Sequence, residues 1–119
     1  MPFPDNSFDL VWCTEVIEHL DNYQQTIREM RRVLKPSGKI IITTPNSFFW
    51  LHYVLKIFGL SNKDWQNKGH VNFFHIRDIK QIFPVGKIYG YFPYTLVKFA
   101  ISRGVSLLSP NFVIIENKR

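Results

Sequence analysis

The chain has 119 residues, 45% of them apolar, a formal net charge of +6 at pH 7 and one cysteine. That length holds one domain with a modest core. The lone Cys13 excludes an intrachain disulfide and fits a reducing, cytoplasmic compartment; no apolar run reaches the roughly 18 residues of a membrane span, and no charged-then-apolar signal order is present. The basic charge would suit an anionic partner. Its lysines and arginines are spread from Arg28 to Arg119 rather than massed in one patch, which argues against nucleic acid.

In chain order, Asp5-Asn6-Ser7 is a turn cluster. Phe8 to Cys13 is a short, almost wholly apolar run of strand-forming residues, which predicts a strand covered on both faces, as in a parallel sheet. It leads directly into Thr14-Glu15-Val16-Ile17-Glu18-His19, a cluster of acid and imidazole at the carboxyl end, where open α/β sheets bind ligands. Asp21 with Gln24 three residues on predicts a helix start. Tyr23, Ile27, Met30, Val33 and Leu34 fall at helical spacing, with Arg28, Glu29, Arg31 and Arg32 turned to water. Pro36-Ser37-Gly38 is expected to stop this helix. Lys39 to Thr44, containing Ile40, Ile41 and Ile42, is a second buried strand, so the opening segment reads as one right-handed βαβ unit.

Ser47 to Phe58 reads as a helix apolar nearly all round, with His52 and Lys56 as a narrow polar stripe. It is too short to cross a bilayer. A core or lid helix is the plainer expectation and a peripheral membrane contact the alternative. Gly59 to Gly69 reads as a polar loop and a short helix follows near Ile76 to Phe83. Val85 to Tyr91 and Asn111 to Asn117 read as strands, and Phe99 to Leu108 stays open between helix and loop. The expected division is a βαβ core over 1–46, lid or acceptor-side helices over 47–84, and a terminal antiparallel strand pair over 85–119.

Four ordered motifs stand out: Phe3-Pro4-Asp5-Asn6-Ser7-Phe8-Asp9-Leu10-Val11, Glu15-Val16-Ile17-Glu18-His19-Leu20, Arg32-Val33-Leu34-Lys35-Pro36-Ser37-Gly38-Lys39 and Thr44-Pro45-Asn46. In this order and spacing they resemble the second half of a class I S-adenosylmethionine-dependent methyltransferase of the type 11 group. His70-Val71-Asn72-Phe73-Phe74 resembles the segment such enzymes carry after their fifth strand. The resemblance implies a Rossmann-like α/β fold in which Phe8 to Cys13 is the fourth strand, Lys39 to Thr44 the fifth, and the last two strands the sixth and seventh. It also implies that the chain is the C-terminal half of such a sheet, without the N-terminal cofactor-binding strands. The family's glycine-rich loop has no counterpart, since none of the six glycines forms Gly-x-Gly after a strand. Met1 stands where relatives commonly have leucine, which suggests an internal start or a truncated chain. On this reading the 119 residues alone are not expected to catalyse, and a missing N-terminal half or a partner chain would meet the free side of the first strand.

By the same resemblance Thr14 touches the cofactor, with Cys13 beside it in the wall; the alternative for Cys13 is a small buried hydrophobe. Glu15, Glu18 and His19 stand at i, i+3 and i+4, so one helical turn would present all three to a divalent cation such as magnesium. This Glu-x-x-Glu-His cluster resembles the magnesium site of ubiquinone-pathway O-methyltransferases and of small-RNA 2′-O-methyltransferases. The alternative is that the glutamates cap a helix or pair with arginine while His19 packs. His19 and His70 are candidate catalytic residues near the acceptor, His75 not being distinguished from His70. Asn46 is expected to line the acceptor pocket, and Phe48, Phe49, Trp50 and Tyr53 beside it suit a greasy or glycosylated acceptor. The leading expectation is S-adenosyl-L-methionine-dependent methylation of a small molecule at oxygen. A non-catalytic half-domain that needs a partner chain and an RNA 2′-O-methyltransferase remnant are the competing ones.

Overall fold

The computed structural model describes residues 1–47, 49–50, 54, 57–59, 69–91 and 100–118. The expected opening unit is there. Strand β1 (Phe8–Thr14) pairs in parallel with β2 (Leu34–Pro45), and helix α1 (Tyr23–Val33) connects them. Helix α2 (Ile76–Ile82), strands β3 (Lys87–Tyr91) and β4 (Ala100–Ile101), the short helix α3 (Val105–Leu108) and strand β5 (Asn111–Asn117) follow. The sheet order is β1-β2-β5-β3-β4, so β5 lies between β2 and β3 and runs antiparallel to both.

Three local expectations change. The cap of α1 is Asn22, not Asp21: its side chain accepts from the Gln25 N–H, which satisfies an otherwise orphaned first-turn donor. Pro36-Ser37-Gly38 does not separate helix from strand, because Leu34 already pairs with Phe8, while Leu10 pairs with Lys39. The intervening residues bulge from β2, with Ser37 at φ 64°. Backbone bonds of Ser37 and Gly38 to Lys118 hold the bulge, and a Cβ on Gly38 would stand 2.7 Å from the Leu34 side chain. The strand expected from Val85 begins at Lys87.

The helix expected over Ser47–Phe58 falls largely outside the described residues, as does the loop over Gly59–Gly69 apart from its ends. Trp50, Val54 and Ile57 are helical. The open stretch at Phe99–Leu108 resolves into β4 and α3, Phe99 itself lying outside the description. Among the described residues no helix is long and apolar enough to cross a membrane.

One face of the sheet carries the core. Val11 and Cys13 of β1, Ile40 and Ile42 of β2, and Phe112 and Ile114 of β5 meet Ile27 and Met30 of α1 with Ile79 and Phe83 of the α2 region. Burying such side chains contributes about 1.5–3 kcal/mol each. Arg31, expected to face water, turns inward: it binds Glu116 of β5 through both carboxylate oxygens at 2.7 and 2.8 Å, donates to the Ile82 carbonyl and lies over the Phe83 ring. Arg32 is also engaged, bridging Glu29 and Asp5. The opposite sheet face is less covered, and on it Leu10 and Trp12 of β1 are 48% and 71% exposed.

Candidate functional site

The parallel strands β1 and β2 deliver their carboxyl ends side by side. The Glu15 N–H donates to the Thr43 carbonyl, extending the ladder one residue past Thr14. Glu15 then adopts φ 52°, a left-handed conformation that turns the chain off the sheet. A single 3-10 turn follows over Ile17–His19. The helical face expected to gather Glu15, Glu18 and His19 is therefore not formed. Glu15 lies before the turn, outside any helix, and its carboxylate accepts from the Thr43 hydroxyl at 2.9 Å. Burial pushes the Glu15 carboxyl above its usual range, against the Thr43 bond, with the Glu18 charge adding to the rise and His19 opposing it.

Glu18 is 1% exposed. Its Oε2 accepts from the Thr44 hydroxyl at 3.1 Å, while Oε1 is buried with no hydrogen-bond partner. An unpartnered buried carboxylate oxygen is costly, and what faces it is imidazole. His19 Nε2 stands 3.9 Å from Oε1. His19 Nδ1 lies 2.8 Å from the Gly69 carbonyl, which can only accept, so Nδ1 carries a proton and Nε2 is the nitrogen directed toward Glu18. The His70 ring packs edge-on against His19 with centroids 4.7 Å apart. One ligand atom from each of Glu18, His19 and His70 lies within 4.8 Å of the others.

The donor set fits a divalent cation of borderline character, one carboxylate and two imidazoles. The orphaned Oε1 is the observation that favours such a charge there, and the Nδ1–H bond to a carbonyl is the outer partner that a metal-binding histidine ordinarily has. Of the residues singled out in the sequence, the structure thus brings Glu18, His19 and His70 together and leaves Glu15 bonded to Thr43 beside them. Thr44, the partner of Glu18, carried no signal beyond its place in Thr44-Pro45-Asn46.

The other candidates take different places. Cys13 is buried beneath the site, its thiol pushed up by burial and then by Glu18, and Thr14 is exposed at the tip of β1. Asn46 is buried, and its amide donates to the Ser106 and Ser109 carbonyls, tying the tip of β2 to the segment ahead of β5. His75 forms the capping box of α2 with Asp78. Phe49 is buried and Trp50 exposed; Phe48 and Tyr53 lie outside the described residues.

The parallel pair is thus continued by an inserted antiparallel strand, with polar residues gathered at the parallel carboxyl ends. Residues 1–42 match the model of a family described as methyltransferase domain. It is 39% identical over 69 residues to a demethylmenaquinone methyltransferase of Listeria welshimeri, a match covering 50% of this chain and 29% of that protein. It is 45% identical over 51 residues to a probable chloroplastic tocopherol O-methyltransferase of Oryza sativa, covering 43% of this chain and 13% of that one. A Thermotoga maritima structure described as a S-adenosylmethionine-dependent methyltransferase and possible histamine N-methyltransferase superposes on all of this chain with a TM-score of 0.76 at 18% identity, which shows the shared fold. The chain covers 60% of that structure and under a third of the curated relatives it matches.

Proposed function

We propose that this chain is the acceptor-side portion of an S-adenosylmethionine-dependent O-methyltransferase acting on a small aromatic hydroxyl compound with an apolar substituent. The observation that carries the reading is the buried Glu18 with its unpartnered Oε1, set against His19 and His70 at the carboxyl end of β1 in a methyltransferase-family segment. The names of the two relatives, a demethylmenaquinone and a tocopherol methyltransferase, support an apolar aromatic acceptor. Exposed Val16 and Val71, sequence neighbours of Glu15 and His70, offer it an apolar border.

Methyl transfer from a sulfonium is an in-line displacement, so holding donor and acceptor at attack distance is the main task of the protein. Glu18, His19 and His70 would hold a divalent ion such as manganese or zinc, which when bound would lower the pKa of an acceptor hydroxyl. Thr14 and Cys13, at the end of β1, contribute one wall of the donor site. His19 and His70 are the groups able to take the hydroxyl proton when no cation occupies them. Cys13, buried and unable to pair within the chain, agrees with work in the reducing cytoplasm.

The remainder of the donor site is proposed to come from further polypeptide, an N-terminal half or a partner chain, that pairs along β1. The supporting observation is that β1 ends the sheet order among the described residues, with β2 on one edge only; an unpaired strand edge favours pairing. The test is to purify the protein from its own cells through a tag placed after Arg119 and to supply methyl-labelled S-adenosylmethionine with a hydroquinone probe. Label on a hydroquinone oxygen, lost on adding chelator and in Glu18→Ala, is the expected result. Label on carbon, or transfer indifferent to chelator, overturns the cation-assisted O-methylation. Micromolar S-adenosylmethionine binding by the bare 119 residues overturns the shared donor site.

A further inference from the structure

The two histidines of the site come from segments that the chain separates by 50 residues at their nearest bonded pair, His19 and Gly69. What joins them is a short strap, residues 69–72, laid against the 3-10 turn. The Val71 and Asn72 N–H groups both donate to the Glu18 carbonyl, at 2.8 and 2.9 Å. The Asn72 carboxamide donates to the Leu20 carbonyl at 2.7 Å and to the Ile17 carbonyl at 3.3 Å. Within the turn the Ile17 carbonyl accepts only the Leu20 N–H, at 3.4 Å, and the Asn72 carboxamide adds a donor to it and to the carbonyl of Leu20, the residue that ends the turn. Gly69 completes the fit: its carbonyl takes the His19 Nδ1 proton, and a Cβ there would stand 3.3 Å from that same nitrogen.

We propose that Asn72 is the positioning residue of this site: by pinning the strap to the turn it seats His70 against His19 and holds the Gly69 carbonyl where it fixes the His19 proton on Nδ1, leaving Nε2 aimed at Glu18. Asn72 touches neither donor nor acceptor; it acts through the two histidines. Only the cation-binding consequence rests on the function proposed above, because the tautomer is set by protein groups alone. A serine or alanine at 72 lacks the paired donors, and glutamine retains them on a longer arm.

The experiment labels the 119-residue chain with nitrogen-15 and reads both ring nitrogens of His19 by NMR at about pH 8.5, above the histidine titration range, alongside Mn²⁺ titration followed by electron paramagnetic resonance. In the wild type His19 is expected wholly in the Nδ1–H form. In Asn72→Ala both tautomers appear and Mn²⁺ affinity falls about 10- to 100-fold, with Asn72→Gln between the two. A folded Asn72→Ala chain with His19 still wholly Nδ1–H overturns the proposal. Should that variant fail to fold, Asn72→Ser, which also lacks the paired donors, is read by the same criteria. A wild type that binds no Mn²⁺ while Asn72→Ala still mixes the tautomers supports the positioning role and removes the cation from the proposed function.

Discussion

Replacing Glu18 by glutamine separates the stability of the fold from the function of its site. In the protein free of divalent cation, one carboxylate oxygen of Glu18 is bonded to Thr44 and the other is buried without a partner. Leaving such a group unsatisfied costs about 1–3 kcal/mol. In Glu18→Gln the amide oxygen keeps the Thr44 bond, and the amide N–H₂ faces His19 Nε2, 3.9 Å from the present Oε1, a gap that a small side-chain rotation narrows. The variant should therefore be more stable than the wild type by about 1–2 kcal/mol in chelator, which for a chain of this length raises the melting temperature by roughly 3–10 °C. Saturating Mn²⁺ reverses the order: a ligand at 100 times its Kd stabilises the form that binds it by about 2.7 kcal/mol, and the variant, without the carboxylate, gains little. Thermal unfolding followed by far-ultraviolet circular dichroism, with chelator and with Mn²⁺, measures both halves. A glutamine variant less stable than the wild type in chelator by 1 kcal/mol or more, or raised equally by Mn²⁺, would refute the reasoning.

Other perturbations have equally definite outcomes. Arg31→Ala leaves Glu116 buried and uncompensated and should cost about 3 kcal/mol, measured by urea unfolding; Glu116→Gln, which keeps a partner for Arg31, should cost visibly less. Gly90→Ala places a methyl 2.4 Å from Ser109 Cβ and should destabilise by about 1–3 kcal/mol or more, with exchange protection lost first between β3 and β5. The Glu29 carboxyl, held at about 2 by hydrogen bonds from Arg32 and the chain amino group, should remain ionised through the ordinary carboxylate range. Its stabilising effect is fully present above that range and is lost only as pH falls through about 2, which carbon-13 titration of its carboxyl reads directly. Glu15 behaves oppositely: its folded value is raised, so the native state holds the proton longer, and stability declines as pH climbs from the ordinary carboxylate value to the raised one. Glu15→Gln should flatten that decline.

The βαβ unit was legible because its signals are local. Helical spacing from Tyr23 to Val33 and the isoleucines at 40–42 report their elements, whereas the run from Leu10 to Cys13 marks a strand but not cover on both faces: Cys13 is buried while Leu10 and Trp12 are exposed. The order with β5 between β2 and β3 follows from pairing that no local pattern encodes. The misreadings share a cause. Glu15, Glu18 and His19 have helical spacing, but one residue at positive φ moves Glu15 out of the turn, and a backbone torsion of that kind leaves no trace in residue types. Arg31 looked like a surface charge until Glu116, 85 residues away, arrived inside the sheet. Asn46 and Asn72 look alike as polar residues beside a site; only the carbonyls within reach show that one ties down β5 and the other the histidines.

The interior position of β5 bears on how the molecule is made. Its residues are synthesised after β3 and β4, yet they are the bridge by which those strands reach β2. On a ribosome the first two strands and α1 can dock as soon as they emerge, and α2 can settle on α1, whereas β3 and β4 must wait, tethered and unplaced, for residues 111–117 to clear the exit tunnel. A premature stop codon just before Asn111 would consequently yield something worse than a sheet one strand short: two fragments of sheet with no hydrogen bonds between them, and an apolar β2 laid bare along a second edge.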